Sequence, residues 1–158
     1  MIKAIAMDVD GVLTDSTFVW GPDGEEFKSF SFRDVMGISL GRKVGLRFAL
    51  ISGENSPLID RFANKMGIED VFKGNKDKVA ALNSFASKYS LDVKDICFIG
   101  DDVNDVAALK TAGLSAVPSD AHPTTLHVAT VVARSNGGHG AVREVIDMIL
   151  SDYLNKNS

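Results

Sequence analysis

Asp8 and Asp10 stand one residue apart directly after an apolar run, residues 2–7, and Gly100-Asp101-Asp102-Val103-Asn104-Asp105 follows a second such run, residues 95–99. Residues i and i+2 of a strand share a face, so Asp8 and Asp10 can project from one strand end toward a common site, with Asp101 beside them. Left alone, these carboxylates repel one another. A hard divalent cation relieves the conflict, and Mg²⁺ suits it because it takes oxygen ligands and keeps positions for water and phosphate oxygens. A single Asp-x-Asp is more readily a loop or a helix cap. Polar clusters in matching places reverse that weighting: Ser52-Gly53-Glu54 after residues 47–51, and Lys78 at the head of a helical stretch before the next long strand.

The elements that must position these residues are legible as short apolar runs alternating with helix-period segments. This pattern predicts an α/β fold, a doubly wound, mostly parallel, Rossmann-like sheet. Strands are expected at 2–7, 47–51, 95–99 and 114–117, with weaker ones at 70–72 and 129–133. Helices are expected at 35–43, 57–66, 76–89, 103–111 and 141–154, with Pro57 in a first turn and Gly45, Gly67 and Gly113 at helix stops. Residues 17–20 and 26–32 read as a β-hairpin around Gly21-Pro22-Asp23-Gly24, inserted after the first strand. The tail after Leu154 is expected to fray. Ligands of open α/β sheets bind outside the carboxyl ends of the strands, which assigns the polar clusters to one site.

With 158 residues and 45% hydrophobic content, one domain covering residues 1–158 is expected, without linkers or repeats. The net charge of -4 and the lack of a basic run argue against a nucleic-acid or anionic-membrane surface. No stretch approaches a membrane span, and residues 2–7 are too short for a signal-peptide core, so cytoplasmic residence is expected. Cys97, inside an apolar run, reads as a buried small side chain. His122, His127 and His139 lack ligand spacing.

Taken in order, Asp8-Val9-Asp10-Gly11, Ser52-Gly53, Lys78, and Gly100-Asp101-Asp102 with Asn104-Asp105 resemble the four motifs of the haloacid dehalogenase superfamily of phosphotransferases, across essentially the whole chain. The resemblance implies that Asp8 is the nucleophile and a metal ligand. It makes Asp10 the general acid, which protonates the leaving alkoxide and then activates water. The Asp10 carbonyl and the Asp101 side chain are the other implied Mg²⁺ ligands, with Asp102 and Asp105 behind them orienting water or neighbouring groups. Ser52 and the Gly53 amide would hold a phosphoryl oxygen, and Lys78 would balance charge in the transition state.

Members with a cap domain carry it between the first and second motifs or between the second and third. Here those gaps are already filled by the predicted elements, so no cap is expected. The chain resembles the capless branch that closes its site by assembly: tetrameric phosphatases of 3-deoxy-D-manno-octulosonate 8-phosphate or nine-carbon ulosonate 9-phosphates, the sialic-acid-like sugars. That likeness rests on residues 10–15, on Phe32-Arg33-Asp34 followed by Gly37-Ile38, and on residues 137–144, with Phe18, Trp20, Phe27 and Phe30 as candidate interface aromatics. It implies a sugar-acid phosphate substrate and a homotetramer.

Candidate substrate contacts are Asp10, Arg33, Ser52, Gly53, Glu54, Asn55, Lys65, Lys78, Asn104 and Arg143. Glu54 and Lys65 resemble the nine-carbon group and Arg33 the eight-carbon one, with the nine-carbon substrate slightly favoured. The glycine-rich residues 137–140 could cradle an anion or form a plain turn. Two other readings stay open: a non-catalytic assembly domain like those fused to sialic-acid nucleotidyltransferases, and a capless phosphatase of phosphoproteins.

Overall fold

The protein is described here from a computed structural model covering residues 1–157. The chain runs through β1 (Ala4–Met7), a hairpin of β2 (Val19–Trp20) and β3 (Glu26–Phe27), α1 (Phe32–Lys43), β4 (Arg47–Ile51), α2 (Pro57–Met66), β5 (Asp70–Phe72) and α3 (Lys78–Lys88). It continues through β6 (Ile96–Ile99), α4 (Val106–Thr111), β7 (Leu114–Val117), α5 (Pro123–Val128), β8 (Val131–Val132) and α6 (Ala141–Asn157). The main sheet is parallel, in the order β5-β4-β1-β6-β7-β8, and the antiparallel hairpin stands apart from it.

That order places the chemistry. The chain winds outward from β1 through β4 and β5, then crosses back to β6 and winds outward the other way. β1 is therefore flanked by β4 and β6, with Met7 level with both Leu50 and Ile99. The residues that follow these three strands emerge side by side at the point where the winding reverses, the usual ligand position in such sheets.

The strands are apolar on both faces because helices cover both. Alternation along β1 sends Ile5 and Met7 into a core with Ile38 of α1, Ile59 of α2 and Val142 and Ile146 of α6. Ala4 and Ala6 face the other way, into a core with Leu82 and Phe85 of α3 and Leu109 of α4. No described helix is long and apolar enough to cross a membrane.

Several boundaries differ from the sequence reading for local reasons. Helix α1 starts at Phe32 because Ser31 caps it, its hydroxyl accepting from the Arg33 amide at 3.1 Å, and the strand expected over 26–32 stops at Phe27. Residues 103–111 divide into a 3₁₀ turn, Val103–Asp105, and α4, because Asp102 and Asp105 form a capping box. Helix α5 was not expected: it has six residues, Pro123 in its first turn and the His122 imidazole accepting from the Thr124 amide at 3.2 Å. Helix α6 continues to Asn157 where fraying was expected, and the Tyr153 hydroxyl donates to the Ile2 carbonyl at 2.6 Å.

Candidate active site

Asp8 extends β1 by one step, its amide donating to the Ile99 carbonyl at 3.0 Å. The chain then curls tightly, the amides of Val12, Leu13 and Thr14 all turning back to the Val9 carbonyl. Lys78, the first residue of α3, reaches in from the opposite side. Its Nζ lies 2.9 Å from Asp8 Oδ2 and 2.7 Å from Asp105 Oδ1, and all three groups are buried. Burial opposes the Lys78 charge, but Asp8 and Asp105 outweigh it and hold its pKa above the usual lysine value. Asp105 is fully engaged, since its Oδ2 accepts from the amides of Asp101 at 2.9 Å and Asp102 at 3.3 Å. It therefore ties Lys78 to the loop after β6.

Oxygens of Asp8, Asp101 and Asp105 lie within 4.8 Å of one another, an arrangement able to hold a metal ion. Burial, followed by repulsion from Asp105, pushes the Asp8 carboxyl up to about 7 against the pull of Lys78. Burial, followed by the charges of Asp8 and Asp105, pushes Asp101 up to about 8. Asp101 Oδ1 is buried without a hydrogen-bond partner. An orphaned carboxylate oxygen beside crowded like charges, in an all-oxygen donor set, fits a hard cation such as Mg²⁺.

An open cleft of about 350 Å³ adjoins this cluster, lined by Asp8, Asp10, Ser16, Ser52, Gly53, Glu54, Asp101, Asp102 and Asn104. Ser52 is buried after β4, its amide donating to the Phe72 carbonyl at 2.8 Å, and its hydroxyl accepts from the Glu54 amide at 3.1 Å. Asp102 Oδ1 accepts from the Val103 amide at 2.7 Å. Asp10 meets a partner that the sequence reading did not single out: Lys28 Nζ, 2.9 Å from its Oδ1 and 3.1 Å from its Oδ2. Lys28 and Ser16 both escaped that reading because neither belongs to a spaced motif. Ser16 carries a trace of signal only in its backbone, a left-handed φ of 70°.

Besides Lys78, which reaches the cleft through Asp8, four candidate substrate residues are not part of the lining of this cleft. Lys65 lines a second cavity of about 560 Å³ under the hairpin, with its Nζ 5.6 Å from the centre of the Phe32 ring. Arg143 turns along α6, its Nε 2.9 Å from Asp147 Oδ1. Arg33 lies near Gly140, where an added Cβ would stand 3.6 Å from Arg33 Cδ. Asn55 is exposed beside Gly74. The glycine-rich turn packs directly on the first loop: a Cβ on Gly137 would stand 2.0 Å from the Gly11 carbonyl oxygen, and the Gly138 amide donates to the Val12 carbonyl at 3.1 Å. Cys97 is fully buried, its thiol pushed up to about 12 by burial.

The haloacid dehalogenase-like hydrolase family matches residues 46–146. Over 149 residues the chain is 38% identical to the 3-deoxy-D-manno-octulosonate 8-phosphate phosphatase KdsC of Yersinia pestis, covering 94% of this chain and 80% of that protein. The corresponding Escherichia coli K12 enzyme is 35% identical, with 94% and 79% covered. The Yersinia pestis crystal structure superimposes with a TM-score of 0.93 at 37% identity, covering 95% of this chain and 81% of that one. A Moraxella catarrhalis 3-deoxy-D-manno-octulosonate 8-phosphate phosphatase, solved in complex with a magnesium ion, a phosphate ion and a KDO molecule, superimposes with a TM-score of 0.92 at 32% identity, covering 99% of this chain and 94% of that one.

Proposed function

The chain belongs to the haloacid dehalogenase-like hydrolases, and from that premise we propose that it hydrolyses the phosphate monoester of an ulosonate through an aspartyl-phosphate on Asp8. The observation that carries this reading is the buried Asp8-Lys78-Asp105 chain at the end of the central strand, facing an open cleft. In the first step an Asp8 oxygen attacks phosphorus, the bond to the sugar oxygen breaks, and Asp10 gives that oxygen its proton. In the second, Asp10 takes a proton from water as the water attacks phosphorus, which returns Asp8 and releases phosphate. Lys78 offsets the charge that accumulates when two anions meet, while the Ser52 hydroxyl and the Gly53 amide hold a phosphoryl oxygen.

Asp8, Asp101 and the Asp10 carbonyl would hold Mg²⁺, with Asp102 and Asp105 supporting them. When bound, the ion neutralises charge between carboxylate and phosphate.

The ulosonate class follows from the relatives, which are named as octulosonate 8-phosphate phosphatases, one of them holding KDO. Within the class we place a nine-carbon 9-phosphate slightly ahead of the eight-carbon 8-phosphate. Glu54 supports that choice, because it lines the cleft and can accept hydrogen bonds from sugar hydroxyls. The relatives' names support the eight-carbon substrate. Arg33, Asn55, Asn104, Lys65 and Arg143 complete the proposed substrate contacts. Those remote from the cleft would serve an assembled site.

A homotetramer, in which a neighbour covers the open cleft, is part of the same proposal, as are one-domain organisation and a cytoplasmic setting. Phe18, Trp20 and Phe27 support the assembly, since all three are more than half exposed, as are Val19 and Phe32 beside them. Phe30, the fourth interface candidate, is instead half-buried and stacks on Phe62 with ring centres 4.6 Å apart. The intact Asp8-Lys78 pair weighs against a non-catalytic role. A phosphate-release screen over phosphorylated sugar acids, with and without Mg²⁺, tests the function. Release dependent on Mg²⁺ and faster from ulosonate phosphates than from the other sugar-acid phosphates is expected, and release from phosphopeptides instead would overturn the assignment.

A further inference from the structure

Lys28 follows β3 on the hairpin, and its side chain is only 4% exposed. A buried ammonium persists where its charge is met, and here the partner is Asp10, with Nζ at 2.9 and 3.1 Å from the two carboxylate oxygens. Glu26 stands farther off at 3.8 Å, and the Thr14 hydroxyl reaches Asp10 only at 3.5 Å. Asp10 itself lies on a loop at the edge of the cleft with a third of its side chain exposed, so little else fixes its torsions. The Lys28 side chain also forms part of the wall of the second cavity, beside Phe27 and Phe30.

We propose that Lys28 is a positioning residue for proton transfer: by holding both oxygens of Asp10 it fixes the carboxylate within the cleft, where the leaving oxygen and then the attacking water must meet it. This rests on the proposed role of Asp10 in moving the proton. It also gives the hairpin a catalytic task separate from assembly. Lys28 acts through Asp10, and in this proposal it meets neither phosphorus nor the leaving oxygen. Its effect should therefore appear only in steps that need the proton, and a plain anchor of the hairpin would weaken every step alike.

Leaving groups separate the two cases. The sugar alkoxide needs protonation, whereas nitrophenolate departs without it. Wild type, Asp10→Asn, Lys28→Met and Lys28→Arg are compared in Mg²⁺ on 3-deoxy-D-manno-octulosonate 8-phosphate in the steady state, and on 4-nitrophenyl phosphate in the first-turnover burst. Lys28→Met preserves the stem and should lower kcat on the sugar phosphate by about 10- to 100-fold with KM nearly unchanged, and the nitrophenolate burst by less than about threefold. Lys28→Arg should recover part of the loss. Equal losses on both substrates, an unchanged kcat, or a Lys28→Met chain without a cooperative melt would each overturn the proposal, the last by making Lys28 an anchor of the fold. If Asp10→Asn keeps full turnover, the role of Asp10 fails first and the Lys28 assignment fails with it.

Discussion

The α-carbon of Gly11 lies directly against the Asp101 carboxylate, so close that a Cβ there would stand 1.8 Å from Asp101 Oδ2. Gly11 also has a φ of +86°, a left-handed conformation that costs other residues about 1–2 kcal/mol. The glycine of the first loop thus makes room for a carboxylate of the loop after β6. Gly11→Ala should displace Asp101 and weaken Mg²⁺ binding by at least about tenfold, on the order of 1.4 kcal/mol, besides lowering the melting temperature. Titration calorimetry with Mg²⁺ alone checks this, and wild-type affinity in the variant would refute it.

Asp34 gives a pH signature unconnected with the cleft. Its buried carboxylate accepts from the Arg143 amide at 2.9 Å at the head of α6. Burial pushes its pKa from 3.8 up to about 6, outweighing the Arg143 amide and the nearby His139 and Arg143 charges. The folded state then holds this proton more tightly than the unfolded chain. The contribution is fully present below about pH 4 and is lost as pH rises through about 6, at most about 3 kcal/mol. The stability of Asp34→Asn relative to wild type should therefore improve between about pH 4 and pH 7. Urea unfolding across that range measures it, and a flat difference would contradict the account.

Trp20, 69% exposed on the hairpin, tests the assembly. Trp20→Glu should shift light-scattering mass toward smaller species and raise KM more than it lowers kcat, because a charge in a buried apolar contact weakens association. A wild-type chain that is monomeric and fully active at assay concentration would exclude a neighbour-completed site.

Much of this was legible in the sequence because the relevant residues sit at strand ends, where local pattern announces them. Asp8, Ser52 and Asp101 follow apolar runs that became β1, β4 and β6, and Pro57 and Gly67 mark α2 at its two ends. Lys28 was hidden because its role depends on how far the hairpin folds back. Its neighbours Phe27 and Phe30 suggest a surface aromatic stretch, and nothing local pairs it with Asp10. Arg143 lies i,i+4 from Asp147, a spacing that offers it a partner on its own helix. Helix α5 is too short for periodicity to reveal.

The central claim is a phosphoryl group carried on Asp8. Wild-type enzyme mixed with 3-deoxy-D-manno-octulosonate 8-phosphate and Mg²⁺, quenched in acid within the first turnover and mapped by peptide mass spectrometry, should carry phosphate on Asp8. Asp8→Asn should carry none and lose at least about 10³-fold in turnover. Rapid phosphate release with no phosphorylated Asp8 at any quench time, or near-normal turnover by Asp8→Asn, would contradict the account.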